Sequence, residues 1–134
     1  MGGRGYHGDV KGYLNSDRRT SEYGKISEIS TAKIDFIYDK IARRNPAAPL
    51  FSNSESKIYA LLDKRGQSIK SITIYDKNHE QAYSIHLDHD HEGRNPHVHT
   101  GVYKGRNEIP YSKKHKKIVS FVTNKFNQWR KKLW

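Results

Sequence analysis

The stretch Ser84-Ile85-His86-Leu87-Asp88-His89-Asp90-His91-Glu92-Gly93-Arg94-Asn95-Pro96-His97-Val98-His99-Thr100-Gly101 decides how the chain reads. It holds five of the eight histidines with three acidic residues and one arginine, and no other stretch is as dense in groups that move protons or bind metals. Side chains alternate across a strand, so Tyr83, Ile85 and Leu87 point one way and Ser84, His86 and Asp88 the other. Glu92 to Pro96 reads as a turn, after which His97 and His99 share one face while Val98 and Thr100 share the other. Paired as a hairpin, the two strands would bring His86 or Asp88 toward His97 or His99, with cross-strand Cβ atoms ~4.5–5.5 Å apart. The register of a five-residue turn is open, and a one-residue slip would put the two sets on opposite faces.

Outward from this hairpin, Lys57 to Asp63 and Gln67 to Tyr75 alternate as two more strands, with Lys64-Arg65-Gly66 and Asp76 to Glu80 as turns. With Gln81 to Asp88 and Pro96 to Tyr103 they make a four-stranded antiparallel meander. Upstream, Ile34, Ile37, Tyr38 and Ile41 fall at i, i+3, i+4 and i+7 between a Ser/Thr start and Asn45-Pro46, which predicts an amphipathic helix over residues 28–44. Residues 45–56 read as a loop. After Pro110, Ser112 can cap a helix running to the C-terminus, with Ile118, Val122, Phe126, Trp129 and Leu133 on one stripe and eight Lys or Arg around the rest. The expected fold class is therefore α+β: a four-stranded antiparallel meander flanked by an N-terminal helix and a basic C-terminal helix. Residues 1–27, glycine-rich and without apolar period, are expected to be a flexible arm on a single domain spanning 28–134.

Composition narrows the partners. With 25 basic against 14 acidic residues the net charge is +11, beyond what solubility asks of a small domain, and the expected partner is nucleic acid, RNA before DNA. The absence of cysteine excludes disulfides, thiolate zinc sites and thiol nucleophiles, so any metal must sit on His, Asp or Glu. No stretch approaches the ~18 apolar residues of a membrane span and the start lacks an apolar export core. The expectation is a protein of the bacterial cytoplasm with no membrane partner.

Three functions fit the histidine stretch. In metal-free RNA cleavage one imidazole takes the proton of the attacking 2′-hydroxyl, another protonates the leaving oxygen, and a cation stabilises the charge on phosphorus. Imidazole suits this because its ordinary pKa of ~6.5 lies near working pH. His97 and His99 would be acid and base, His86 and Asp88 their supports, Arg94 or a helix lysine the phosphate clamp, and Thr100 or Tyr75 a positioning hydroxyl. No cofactor is needed. In the alternative, carboxylates and imidazoles hold a divalent ion, Mg or Zn, that activates water. The third reading is a binder without chemistry. His7, His79 and His115 stand apart and read as surface residues. Lys113, Lys114, Lys116, Lys117, Lys125 and Arg130 of the last helix are the candidate nucleic-acid contacts.

Ile74-Tyr75-Asp76-Lys77-Asn78, followed by Ile85-His86-Leu87-Asp88-His89-Asp90-His91 and Asn95-Pro96-His97-Val98-His99 behind a Met-Gly-Gly-Arg-Gly start, resembles small basic proteins of bacteriophages and mobile elements. Their relatives are toxin-like nucleases of the broad barnase, EndoU, colicin and RelE-like class. The resemblance, over residues 57–103, implies a four-stranded sheet behind N-terminal helices and RNA cleavage by His, Arg or Lys and hydroxyl residues, with a cognate inhibitor as partner. Leu87 to Arg94 is locally similar to the HNH and endonuclease VII type, which implies metal ligation by His89, Asp90 and His91. A phage-encoded inhibitor of a host nucleic-acid enzyme, such as a defence nuclease, is the non-catalytic counterpart.

Overall fold

A computed structural model of the chain describes residues 10–14, 20–41, 46–87, 96–101 and 105–133. Among these residues eight strands form one sheet in chain order: β1 (Val10–Leu14), β2 (Thr20–Lys25), β3 (Ile34–Asp39), β4 (Ile58–Leu62), β5 (Ile69–Tyr75), β6 (Gln81–His86), β7 (His97–Thr100) and β8 (Glu108–Ile109). Every neighbouring pair is antiparallel except β3 and β4, which run parallel. Among the described residues one helix, α1 (Lys113–Lys132), follows the sheet.

The four expected strands are β4 to β7 and they do pair as a meander, but they are only the second half of a larger mixed sheet. The expected N-terminal helix over 28–44 is corrected to a turn and strand β3. The segment Ile34-Asp35-Phe36-Ile37 is buried on both faces, whereas a helix could bury only one stripe of it. A strand covered on both sides loses its alternation, and its apolar positions can then mimic a helical period. Ser30 and Thr31, at the expected helix start, instead tie the turn before β3: the Ser30 hydroxyl accepts from Phe36 N–H at 2.9 Å and that of Thr31 from Ile34 N–H at 3.1 Å. Within residues 1–27, read as an arm, Val10–Leu14 and Thr20–Lys25 pair into the sheet and Tyr23 is fully buried.

The pairing registers sort the sheet into two faces. Phe36, Ala60, Ile72, Ile85, Val98 and Ile109 form one cross-strand row, and α1 packs on it with Val122 and Phe126 fully buried and Ile118 and Trp129 at the margin. Phe126 stacks on Phe36 with ring centroids 6.4 Å apart. On the other face, the β2–β5 half carries Tyr23, Ile37, Tyr59, Leu61 and Tyr75, and residues 46–53 of the β3–β4 connection cover it. That cover is pinned by hydroxyl and amide hydrogen bonds: Tyr23 to Ala47 O at 2.6 Å, Gln81 Nε2 to Pro49 O at 2.9 Å, and Asn53 N–H to the Tyr59 hydroxyl at 3.0 Å. Asp35 is buried between Lys57, 3.2 Å away, and Lys25, 3.9 Å away; burial raises its pKa, against the pull of the two lysines.

Candidate active site

The β5–β8 half of the second face is polar. Ser71, His86 and His97 form one cross-strand row, and Thr73, Ser84, His99 and Glu108 the next. Strand alternation puts both rows on the face away from α1. The register of β6 and β7 sets His86 directly across from His97 and Ser84 across from His99. Three imidazoles therefore meet. His86 and His97 lie nearly parallel with centroids 5.2 Å apart, and His99 stands edge-on to both, at 5.2 Å from His86 and 4.9 Å from His97. His97 is buried, whereas His86 and His99 are half-exposed.

Two features beside these rings carried little signal in the sequence. The hydroxyls of Thr73 and Ser84 are 2.8 Å apart in the row of His99. Glu108 pairs with His99 in the β7–β8 ladder, so the two side chains project from the same face with Cβ atoms ~4.5–5.5 Å apart. Strand β8 is two residues long, too short for a periodic pattern to announce it.

Other expected members are placed elsewhere. The Thr100 side chain belongs to the α1 side, and its hydroxyl is engaged by the turn after β7, donating to Gly105 O at 2.6 Å and accepting from Asn107 N–H at 2.9 Å. Tyr75 is in the covered half, where its hydroxyl donates to Pro49 O and burial pushes its pKa well above the usual range for a phenol. Asp88, His89, Asp90, His91 and Arg94 lie outside the described residues, as does His7. His79 occupies a left-handed turn position (φ 68°) with its Nδ1 2.8 Å from Ser52 O. His115, read as a surface residue, is corrected: it is 2% exposed in the first turn of α1.

Because α1 covers the opposite face, the sheet separates its lysines from the histidines, and a helix lysine cannot clamp a phosphate held over His97 and His99. Lys113, Lys114, Lys116 and Lys117 are exposed, and Lys125 and Arg130 are half-buried. Arg130 donates to Gln67 O and lies over the Phe126 ring at 5.9 Å, which engages it in packing.

Among the described residues no group of three His, Asp or Glu is arranged to hold a metal ion. Among them, too, no helix is long and apolar enough to cross a membrane. Comparisons with protein-family models, curated proteins and solved structures find no match.

Proposed function

We propose that the chain binds nucleic acid and cleaves RNA by general acid–base catalysis at the β6–β7 histidines. The observation that carries this reading is the convergence of His86, His97 and His99 on one face, each ring about 5 Å from the other two. Coulomb repulsion disfavours charging neighbouring imidazoles together, so the cluster can hold a charged ring beside a neutral one more readily than two charged rings. That is the pairing transesterification needs. The neutral imidazole takes the 2′-hydroxyl proton as the 2′ oxygen attacks phosphorus. The charged one gives its proton to the 5′ oxygen as the P–O bond breaks, leaving a 2′,3′-cyclic phosphate. His97 and His99 take these roles, with His86 stacked beside them. Glu108, across from His99 in the ladder, is the carboxylate placed to orient that ring. Asp88 and Arg94 keep the roles given by the sequence, as support and phosphate clamp.

The test is cleavage of labelled RNA and DNA with and without EDTA, together with the metal content of the purified protein. Cleavage of RNA alone, unaffected by EDTA, is the expected result. EDTA-sensitive DNA cleavage would overturn it in favour of the HNH-like enzyme with Mg or Zn at His89, Asp90 and His91. Binding without cleavage would leave the phage-encoded inhibitor of a host enzyme.

A further inference from the structure

Helix α1 places Lys113, Lys114, Lys116 and Lys117 in its first five residues, with no acidic residue in the first turn. This is the positive end of the helix dipole, where cations work against the helix and an anion would favour it. A second observation stands beside it. His115 lies between two tyrosines, edge-on to Tyr83 at 5.2 Å and stacked with Tyr111 at 6.2 Å with 14° between the planes. Ser112 N–H donates to its Nδ1 at 3.0 Å, while Nε2 is buried and has no hydrogen-bond partner among the described residues. The Lys114 ammonium sits 5.4 Å above the Tyr83 ring, and that of Lys116 6.0 Å above Tyr111. Both tyrosines are half-exposed and both lysines are exposed.

We propose that the Tyr83–His115–Tyr111 cluster and the first turn of α1 form a stacking platform for single-stranded nucleic acid, one base lying on Tyr111 and the flanking phosphates held by Lys114 and Lys116. Aromatic faces next to cations match the base and phosphate of one nucleotide, and every base offers a face, so the platform is indifferent to sequence. A duplex keeps its base faces stacked and presents only phosphates. An acidic peptide offers the charges without the faces. The platform is on the α1 side of the sheet and the histidines are on the other face. The proposal rests on the nucleic-acid part of the preceding reading and not on cleavage.

The experiment is fluorescence anisotropy of a labelled single-stranded DNA octamer, which lacks the 2′-hydroxyl and is read without being cut by that route. Tyr111→Ala should weaken binding about 5- to 150-fold, the range of one lost stacking contact, while Tyr111→Phe stays within about twofold of the parent. A duplex of equal length should lose far less. The exposed pair Lys114→Ala, Lys116→Ala, which does not threaten the fold, should lower the slope of log affinity against log salt by about 1.4 for two single-strand phosphate contacts. Unchanged octamer binding by Tyr111→Ala, an equal loss for the duplex, or equal competition by polyglutamate would overturn the platform and leave cleavage standing. A parent protein that binds no octamer would overturn the platform together with nucleic-acid binding.

Discussion

Replacing His99 with alanine removes an imidazole that touches two others and lies across from a carboxylate, and the structure says how that loss divides between chemistry and stability. A general acid or base contributes roughly 10²–10⁴ in rate, which is about 2.7–5.4 kcal/mol of transition-state stabilisation at 1.36 kcal/mol per decade. His99 is half-exposed on the face that α1 does not cover, so its loss leaves no closed cavity and unfolding free energy should fall by no more than about 1 kcal/mol. His97 is different: it is 2% exposed and in ring contact with both His86 and His99, so His97→Ala should lower stability as well as rate. The assay is single-turnover cleavage of a short labelled RNA across pH 5 to 8, with urea unfolding of the same samples. His99→Ala should lose two to four decades of rate, change the arms of the pH profile, and unfold near the parent midpoint. A cleavage rate within threefold of the parent, in a folded His99→Ala protein, would refute the assignment of the β6–β7 rings to proton transfer.

A Cβ at Gly101 would run into the backbone carbonyl of Gln81, so Gly101→Ala should push β7 away from β6, lower stability by about 3 kcal/mol in urea unfolding, and reduce cleavage although no catalytic group is touched. Phe126 is 1% exposed and stacked on Phe36; Phe126→Ala should lower stability by about 3–5 kcal/mol by the same measurement. Burial, with the Lys114 charge beside it, holds the His115 pKa below the ~6.5 of an unfolded chain, so between the two values the unfolded state binds more protons. Its stabilising contribution is then complete above pH ~6.5 and is lost as pH falls through the folded value. Urea midpoints should drop from pH 7 toward pH 5 in the parent and drop less in His115→Gln, which keeps a capping box with Ser112; parallel curves would refute this.

Period-two alternation made β4 to β7 legible because each shows one polar and one apolar face over several residues, and Ser112 with the stripe of Ile118, Val122 and Phe126 made α1 legible for the matching reason. Strand β3 was hidden by its own burial: Asp35, the polar residue that would have marked an alternating strand, is paired with Lys57 inside the protein, and no local pattern announces a partner 22 positions away. His115 was misread on the same ground, since its neighbours in sequence are four exposed lysines while its neighbours in space are Tyr83 and Tyr111.

The candidate site was half legible. Alternation placed His86 on one strand face and His97 with His99 on another, but whether those faces coincide depends on a register that the turn leaves open. The row Ile72–Ile85–Val98 settles it physically: these three are fully buried under α1, and a slip of one residue would exchange Val98 for His97 or His99 in the core. Burying an imidazole there would remove the apolar contact of Val98 and bring in ring nitrogens that need partners, and each unmet partner is a desolvation penalty of ~1–3 kcal/mol. Packing of the helix on one face thus fixes the meeting of histidines on the other. Mutations that loosen the Phe36–Phe126 contact should therefore weaken the site from across the sheet, through the β6–β7 register.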